Sequence, residues 1–301
     1  MHASELNLPK NGISPADGEK AAHLTCISDF CIMVNRKTLR NLPKGGEPMN
    51  QTEKRLFLIQ SLLAEQPRFR DLAIPSDESE QRQLLRSLFN VRLPGDIDEG
   101  FLAVQDEYLQ EETRYKGVTT LAELTSAEPG LYLWQGDITT LACDAIVNAA
   151  NSGMTGCYRP CHNCIDNCIH TYAGVQLRNA CAELMARQGH EEPTGQAKIT
   201  PAYNLPCKYV IHTVGPIVDG RLTRRHEEQL ASSYRACLTL AAENGCESIA
   251  FCCISTGVFG FPQQRAAEIA VETVRAHRGK MDVIFNVFKD EDAAIYRRLL
   301  G

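Results

Sequence analysis

Residues 248–262 read Ser-Ile-Ala-Phe-Cys-Cys-Ile-Ser-Thr-Gly-Val-Phe-Gly-Phe-Pro, and this stretch decides the fold. A short run of β-branched and aromatic residues leads into a glycine-containing turn, and a helical pattern begins at the proline. Similar strand patterns occupy residues 131–135, 145–147, 208–212 and 282–286, with helical patterns at about 164–187, 225–244, 262–277 and 290–300. Strands that alternate with helices predict an α/β fold with a largely parallel sheet and helices on both faces.

The chain that precedes this α/β region has two other parts. Residues 49–117 contain three short amphipathic patterns, which predict a small helical region. Residues 1–48 hold several Pro and Gly residues and show no sustained period, so we expect a leader that is disordered or a non-native start. We therefore expect a leader at 1–48, a helical region at 49–117 and the α/β domain at 118–301.

Composition excludes several classes of function. The 301 residues carry a formal net charge of −6, which argues against general nucleic-acid binding because phosphate neutralisation needs a basic face. No apolar run reaches the ~18 residues that span a bilayer, and the N-terminus lacks the apolar stretch of a signal peptide. The sequence is typical of a cytoplasmic enzyme or binding protein.

Small polar turns follow the predicted strands, at the edge where open parallel sheets bind their ligands. The turn after residue 253 leads directly into a helix, so it presents backbone N–H groups and a helix N-terminus. Such a turn holds a phosphate without basic side chains. An acidic protein could bind an anionic ligand in this way.

Five ordered motifs resemble the macrodomain family over about residues 119–301. They read Gly-Asp-Ile-Thr at 136–139, Asn-Ala-Ala-Asn at 148–151, Pro-Thr-Gly-Gln-Ala at 193–197, Ile-His-Thr-Val-Gly-Pro at 211–216 and Ser-Thr-Gly-Val-Phe-Gly at 255–260. The resemblance implies a three-layer α/β/α sandwich around a mixed, largely parallel sheet. It also implies binding of ADP-ribose, and many members of the family remove ADP-ribose or its acyl derivatives.

The resemblance also assigns roles to individual residues. Asp137 is expected to accept the adenine amino group, with Ile138 beside it, although residue type alone indicates only a turn or capping carboxylate. Asn151 is expected to hydrogen-bond the distal ribose. The diphosphate loop is expected at Ser255, Thr256, Gly257, Val258 and Phe259, with Phe259 lining the pocket of the distal ribose.

Residues 156–170 depart from the glycine-rich loop that follows the double-Asn motif in hydrolytic macrodomains. They read Gly-Cys-Tyr-Arg-Pro-Cys-His-Asn-Cys-Ile-Asp-Asn-Cys-Ile-His, so cysteine and histidine replace glycines. Asp166 takes the place of the aspartate proposed to activate water in relatives. The departure resembles the zinc-containing branch found beside sirtuin-type ADP-ribosyltransferases.

Cysteine usage supports a metal site in the same loop. Thirteen cysteines are present, and four of them lie within the twelve residues 157–168. Without a secretion signal, metal or reactive-thiol chemistry is favoured over a disulfide framework. The spacing C-x4-H-x-C at Cys157, His162 and Cys164 suits a catalytic zinc, which uses three protein ligands and leaves one position open.

Cys161 is an alternative ligand by spacing, and the resemblance favours Cys157. Four cysteine and histidine ligands together would make a closed, structural site instead of a catalytic one. We interpret His170 as a packed, hydrogen-bonded helix residue and His212 as a satisfied structural histidine. Neither is expected to bind the metal.

These observations predict a hydrolase that binds one Zn²⁺ per chain and removes mono-ADP-ribose from modified proteins, with acidic side-chain linkages favoured. Asp166 and Asn151 are the predicted catalytic residues. The zinc-branch resemblance suggests a lipoylated carrier protein of the glycine-cleavage type as a target. The alternatives are an O-acetyl-ADP-ribose deacetylase, a non-catalytic ADP-ribose-binding module, and a thiol redox sensor built on the cysteine cluster.

Overall fold

A computed structural model of the chain describes residues 48–69 and 71–301. The leader predicted at residues 1–48 lies outside the described residues, apart from its last residue. Among the described helices, none is both long enough and apolar enough to cross a membrane.

Three helices form the N-terminal helical region, as predicted. They are α1 (Gln51–Glu65), α2 (Glu78–Val91) and α3 (Glu99–Lys116). Each helix is capped at its N-terminus by a polar residue whose side chain accepts a hydrogen bond from a backbone N–H of the first turn. The capping residues are Asn50, Asp77 and Asp98. Their apolar faces meet in a shared core that includes Leu58, Ile59, Leu62, Leu85, Leu88, Phe101 and Tyr108. Val175 from the α/β region completes this core, so the two regions pack together.

The α/β region contains nine strands. They are β1 (Thr119–Thr120), β2 (Ser126–Glu128), β3 (Leu131–Gln135), β4 (Leu141–Ala142), β5 (Ala145–Ala149), β6 (Ala197–Pro201), β7 (Tyr209–Thr213), β8 (Ser248–Phe251) and β9 (Asp282–Val287). Seven of them form the main sheet in the order β2-β3-β9-β8-β5-β7-β6, and β1 pairs with β4 in a separate ladder. The four ladders from β3 to β7 are parallel, and both edge strands are antiparallel to their neighbours.

Five helices pack against this sheet. They are α4 (Ile165–Ala173), α5 (Val175–Gln188), α6 (Arg224–Glu243), α7 (Gln263–His277) and α8 (Asp290–Leu300). The four central strands β9, β8, β5 and β7 consist almost entirely of buried residues, because helices cover the sheet. The predicted α/β fold with a mixed, mostly parallel sheet and a preceding helical region is confirmed. All the parallel strands end at one edge of the sheet, which is where the predicted ligand residues lie.

Two local features differ from the prediction. The helical pattern predicted at about 164–187 is broken into α4 and α5 at Gly174, whose φ of 96° ends the first helix. A side chain there would also meet the amide of Gln105, which accepts a hydrogen bond from Val175. The antiparallel edge strands β2 and β6 were not predicted. Since β2 has three exposed or half-exposed residues, it lacks the apolar alternation that signals a strand.

Candidate active site

Asp137, to which the resemblance assigns the adenine amino group, directly follows β3 and Gly136. It begins a short 3-10 turn, and its Oδ1 accepts hydrogen bonds from Thr139 N (3.0 Å) and Thr139 Oγ1 (2.6 Å). The other oxygen, Oδ2, lies 3.1 Å from the ammonium of Lys116. Burial raises the pKa of Asp137, but the combined effect of Lys116 and Thr139 is larger and lowers the pKa below its usual value. The carboxylate is therefore ionised. Ile138 beside it is fully buried.

Lys116 is a neighbour of this site that the sequence analysis missed. It ends α3, and its ammonium lies 3.2 Å from the centre of the Tyr172 ring on α4 as well as against Asp137. A cation over an aromatic face and beside a carboxylate is stabilised by both. The helical region therefore contributes a side chain to the ligand edge, which no local pattern could have indicated.

The loop after β8 has the backbone geometry expected of an anion-binding turn. Ser255 is buried with a left-handed φ of 65°, and its carbonyl accepts a hydrogen bond from Phe261 N (3.0 Å). Within residues 48–69 and 71–301, the N–H groups of Gly257, Val258 and Phe259 have no acceptor. Successive unpaired N–H groups before a helix suit a phosphate.

Packing beneath this loop explains the glycine in the Ile-His-Thr-Val-Gly-Pro motif. A Cβ atom at Gly215 would lie 2.1 Å from Ser255 Oγ, so only glycine lets the two loops approach this closely. The carbonyl of Phe259 also accepts a hydrogen bond from Val218 N (2.8 Å). The two loops thus hold each other at the ligand edge.

Asp166 is buried on the first turn of α4 and is held by both asparagines of the double-Asn motif. Asn148 Nδ2 donates to Asp166 Oδ1 (2.8 Å), and Asn151 Nδ2 donates to Asp166 Oδ2 (3.3 Å). Burial raises the pKa of Asp166 to about 7, in opposition to the hydrogen bond from Asn148. A carboxylate with a pKa near neutrality is suited to exchange a proton with water.

The structure brings together the three side chains predicted as zinc ligands. The Sγ atoms of Cys157 and Cys164 and a ring nitrogen of His162 all lie within 4.8 Å of one another, and the Cys157 Sγ to His162 Nδ1 distance is 3.6 Å. Donation from the Cys164 thiol, together with His162, lowers the pKa of Cys157 well below its usual range. One thiolate therefore forms readily, and a thiolate is the form that binds a metal.

Cys161 lies outside this group. Its Sγ is 3.2 Å from Ser87 Oγ and 3.4 Å from the carbonyl of Gln83, both on α2. Its backbone adopts a left-handed φ of 50°, which turns the side chain away from the other three ligand candidates. In this geometry Cys157, and not Cys161, lies within reach of both His162 and Cys164.

A second buried group, His170, Cys181 and His212, also has its ligand atoms within 4.8 Å. Both ring nitrogens of His212 are engaged, by Asn148 Nδ2 (3.1 Å) and by Thr200 Oγ1 (3.0 Å). Burial raises the pKa of Cys181 to about 12, so its thiol stays protonated. His212 is thus a satisfied structural histidine, whereas the buried ring nitrogens of His170 have no hydrogen-bond partner within the described residues, contrary to expectation.

The chain matches a known protein family and curated relatives. Residues 147–270 match the family described as Macro domain. A relative named "Protein-ADP-ribose hydrolase" from Treponema medium is 62% identical over 261 residues, which cover 84% of this chain and 100% of the relative. The chain belongs to the macrodomain family. A second relative of the same name, from Staphylococcus aureus strain MSSA476, is 45% identical over 258 residues, which cover 83% of this chain and 97% of the relative.

Solved structures support the same assignment. A Trypanosoma brucei macrodomain in complex with ADP-ribose is 30% identical to this macrodomain with a TM-score of 0.55, covering 72% of this chain and 95% of the other. An Oceanobacillus iheyensis macrodomain mutant with ADPR is 38% identical with a TM-score of 0.52, covering 56% of this chain and 91% of the other. Neither of these similarities extends over the whole chain.

Proposed function

We propose that this macrodomain is a zinc-dependent hydrolase that removes mono-ADP-ribose from modified proteins, with linkage to acidic side chains favoured. The observation that carries the proposal is the position of the two-cysteine, one-histidine group beside a buried carboxylate. Asn151 donates both to Asp166 Oδ2 (3.3 Å) and to the carbonyl of Gly156 (3.2 Å), directly before Cys157. The candidate base and the candidate ligands are therefore built on one short stretch of chain.

The donor set fits zinc. Two thiols and one imidazole are ligands that Zn²⁺ prefers, and three protein ligands leave a position for water or substrate. Cys157, His162 and Cys164 would hold one ion per chain. When bound there, the ion would supply Lewis-acid polarisation of the bond to be cleaved.

The remaining steps belong to the side chains and backbone of the protein. Asp137 accepts the adenine amino group, the N–H groups at 255–259 bind the diphosphate, and Asn151 and Phe259 position the distal ribose. Asp166 takes a proton from the attacking water, and the water oxygen bonds to the ADP-ribose fragment as the ester bond to the modified side chain breaks and its carboxylate leaves. The products are ADP-ribose and the free carboxylic side chain.

Modified proteins are the proposed substrates because the relatives that match almost end to end are named for that activity. The resemblance to the zinc-containing, sirtuin-linked branch extends the proposal to a lipoylated carrier protein of the glycine-cleavage type.

All eleven cysteines among the described residues are free thiols, which fits a reducing compartment such as the cytoplasm.

Metal analysis paired with a turnover assay tests the proposal. We expect about one zinc per purified chain, and release of ADP-ribose from an aspartate- or glutamate-linked substrate that a chelator abolishes and added Zn²⁺ restores. Binding of ADP-ribose without turnover would instead establish a binding module. Cleavage confined to O-acetyl-ADP-ribose would establish the deacetylase, and reversible oxidation with little zinc would establish a thiol sensor. Any of these three results would overturn the proposal.

A further inference from the structure

The loop that carries Cys157, His162 and Cys164 is held from outside by helix α2 of the N-terminal region. Its cysteines and histidine are only half-buried, and residues 150–164 contain no helix or strand. A loop of this kind loses much conformational freedom when its side chains converge on one point. The contacts that order the loop in advance therefore bear on how tightly it binds a metal.

Asn167 touches two of the three ligand residues. Its buried amide Nδ2 donates to the carbonyls of Cys157 (3.3 Å) and Arg159 (3.0 Å). Its backbone N–H donates to Cys164 Sγ (3.4 Å), the side chain that caps α4. Asn167 thus fixes the position of Cys157 by a bond to the Cys157 carbonyl, and the position of Cys164 by a bond to the Cys164 sulfur.

Arg86 on α2 supplies the third connection. Its Nη2 donates to the carbonyl of His162 (2.9 Å), and its Nε and Nη2 donate to Asn167 Oδ1 at 3.3 and 3.0 Å. The guanidinium permits only one orientation of the Asn167 amide, because the reversed amide would point its NH₂ group at a cation. Through these bonds, Arg86 and Asn167 together contact all three ligand residues.

The same helix holds Cys161 away from the ligand group. Asn90, which is buried, accepts a hydrogen bond from Cys161 N (2.9 Å) and donates to Thr171 Oγ1 on α4 (2.9 Å). Ser87 meets the Cys161 sulfur. Helix α2 therefore also influences which cysteines face inward.

We propose that Arg86, acting with Asn167, is a positioning residue of the metal centre, so that the N-terminal helical region is a working part of that centre. This inference rests on the proposed zinc site. Partners that orient metal ligands typically contribute about 10- to 100-fold in metal affinity. We expect Arg86→Ala to weaken zinc binding by a factor in that range.

Arg82 provides a matched control, because it lies one turn earlier on the same helix. It pairs with Glu78 and Glu112 and has no contact with the ligand loop among the described residues. Both substitutions remove one arginine from α2, but only Arg86→Ala removes contacts to the loop. Arg82→Ala is expected to bind zinc within about twofold of the unchanged protein.

The experiment measures zinc affinity of the full chain by competition with a chromophoric chelator, for the unchanged protein, Arg86→Ala, Arg82→Ala, Asn167→Ala and the Arg86→Ala/Asn167→Ala double variant. If Arg86 acts through Asn167, the loss in the double variant is smaller than the two single losses combined. The absorption spectrum of bound Co²⁺ reports the ligand geometry and should change in Arg86→Ala but not in Arg82→Ala. ADP-ribose binding by calorimetry shows that each variant is folded.

The outcomes separate the two proposals. If the unchanged protein binds no zinc, the proposed function fails. If it binds zinc and Arg86→Ala binds equally tightly, or if Arg82→Ala loses as much affinity as Arg86→Ala, the positioning role of Arg86 is overturned and the zinc site stands. Additive losses in the double variant would show that Arg86 and Asn167 act separately, which would also contradict the proposal.

Discussion

Asp166 combines burial with two amide donors, and this combination sets its chemistry. The carboxylate is 5% exposed and accepts hydrogen bonds from Asn148 and Asn151. The two donors orient the oxygens, and burial keeps the pKa near 7 despite them. A group of this kind can hold a water molecule and accept its proton within one cycle.

Replacement of Asp166 by Asn should separate binding from turnover. The amide has nearly the same shape but cannot accept a proton, so kcat should fall by about 10²- to 10⁴-fold. ADP-ribose affinity should stay within a fewfold, since the residues proposed to contact the adenine and the diphosphate lie on other loops. Single-turnover release of ADP-ribose and calorimetry measure the two effects. Undiminished turnover would remove Asp166 from the mechanism.

Cys157 and Cys161 make different predictions although they lie four residues apart. Cys157→Ser should lower both the zinc content and the activity, because its sulfur belongs to the candidate ligand group. Cys161→Ser should keep about one zinc per chain, because its sulfur contacts Ser87 and Gln83 instead. Elemental analysis after dialysis against a weak chelator distinguishes the two variants. A zinc-replete, active Cys157→Ser protein would show that Cys157 is not a ligand.

At the scale of elements, the loops after β7 and β8 act as one unit. Gly215 packs against Ser255, whose left-handed backbone shapes the turn that is proposed to bind the diphosphate. Overpacking at such a contact forces the backbone to move and typically costs about 1–3 kcal/mol. The turn at 255–259 therefore depends on a glycine some forty residues earlier in the chain.

Gly215→Ala is expected to weaken ADP-ribose binding by at least about tenfold, which corresponds to ~1.4 kcal/mol. The added methyl group would displace Ser255 and disturb the N–H groups that follow it. Gly95→Ala is the control, since a Cβ there meets nothing within 4 Å and its backbone is not left-handed. Calorimetric titration with ADP-ribose measures both variants. Equal affinity of the two would contradict the coupling of the loops.

Across the whole molecule, a buried polar network links the candidate site to the edge of the sheet. Asn148 joins Asp166 to His212, and His212 joins Thr200 on the antiparallel edge strand β6. Burial lowers the pKa of His212 to about 3, so the native protein keeps it neutral. In the unfolded chain the same histidine becomes protonated near pH 6.5.

The stability of the fold should therefore depend on this histidine below neutrality. The neutral His212 contributes its full share to the free energy of unfolding above about pH 6.5. As the pH falls from there toward 3, this share decreases by about 1.4 kcal/mol per pH unit. His212→Gln should lower the free energy of unfolding at pH 7.5 and make it depend less on pH between 7.5 and 5.5. The raised pKa of Asp166 changes stability with pH in the opposite direction, but it does so in both proteins and therefore does not affect the comparison. Urea unfolding at the two pH values tests this. Parallel profiles for the two proteins would show that His212 is not the group that titrates.

Local patterns were sufficient to predict much of this molecule. The strands β3, β5, β7, β8 and β9 and the helices α6 to α8 were predicted within about two residues, because period and turn chemistry are properties of neighbouring residues. The edge strands β2 and β6 escaped notice because half-exposed strands show little apolar signal. The helical pattern at 164–187 did not predict the break at Gly174, because a single glycine in such a pattern does not show whether its backbone continues the helix or turns to a positive φ.

The sequence by itself determined the fold class, the ligand-bearing edge and the cysteine-rich loop, since each follows from residues close together in the chain. Spacing left Cys157 and Cys161 as alternatives, and tertiary structure places the Cys157 sulfur with His162 and Cys164 and the Cys161 sulfur against α2. Tertiary structure also brings Lys116 to Asp137. It also brought Arg86 to Asn167 across 81 residues. Such contacts depend on how the helical region packs against the sheet, and no local pattern records that packing.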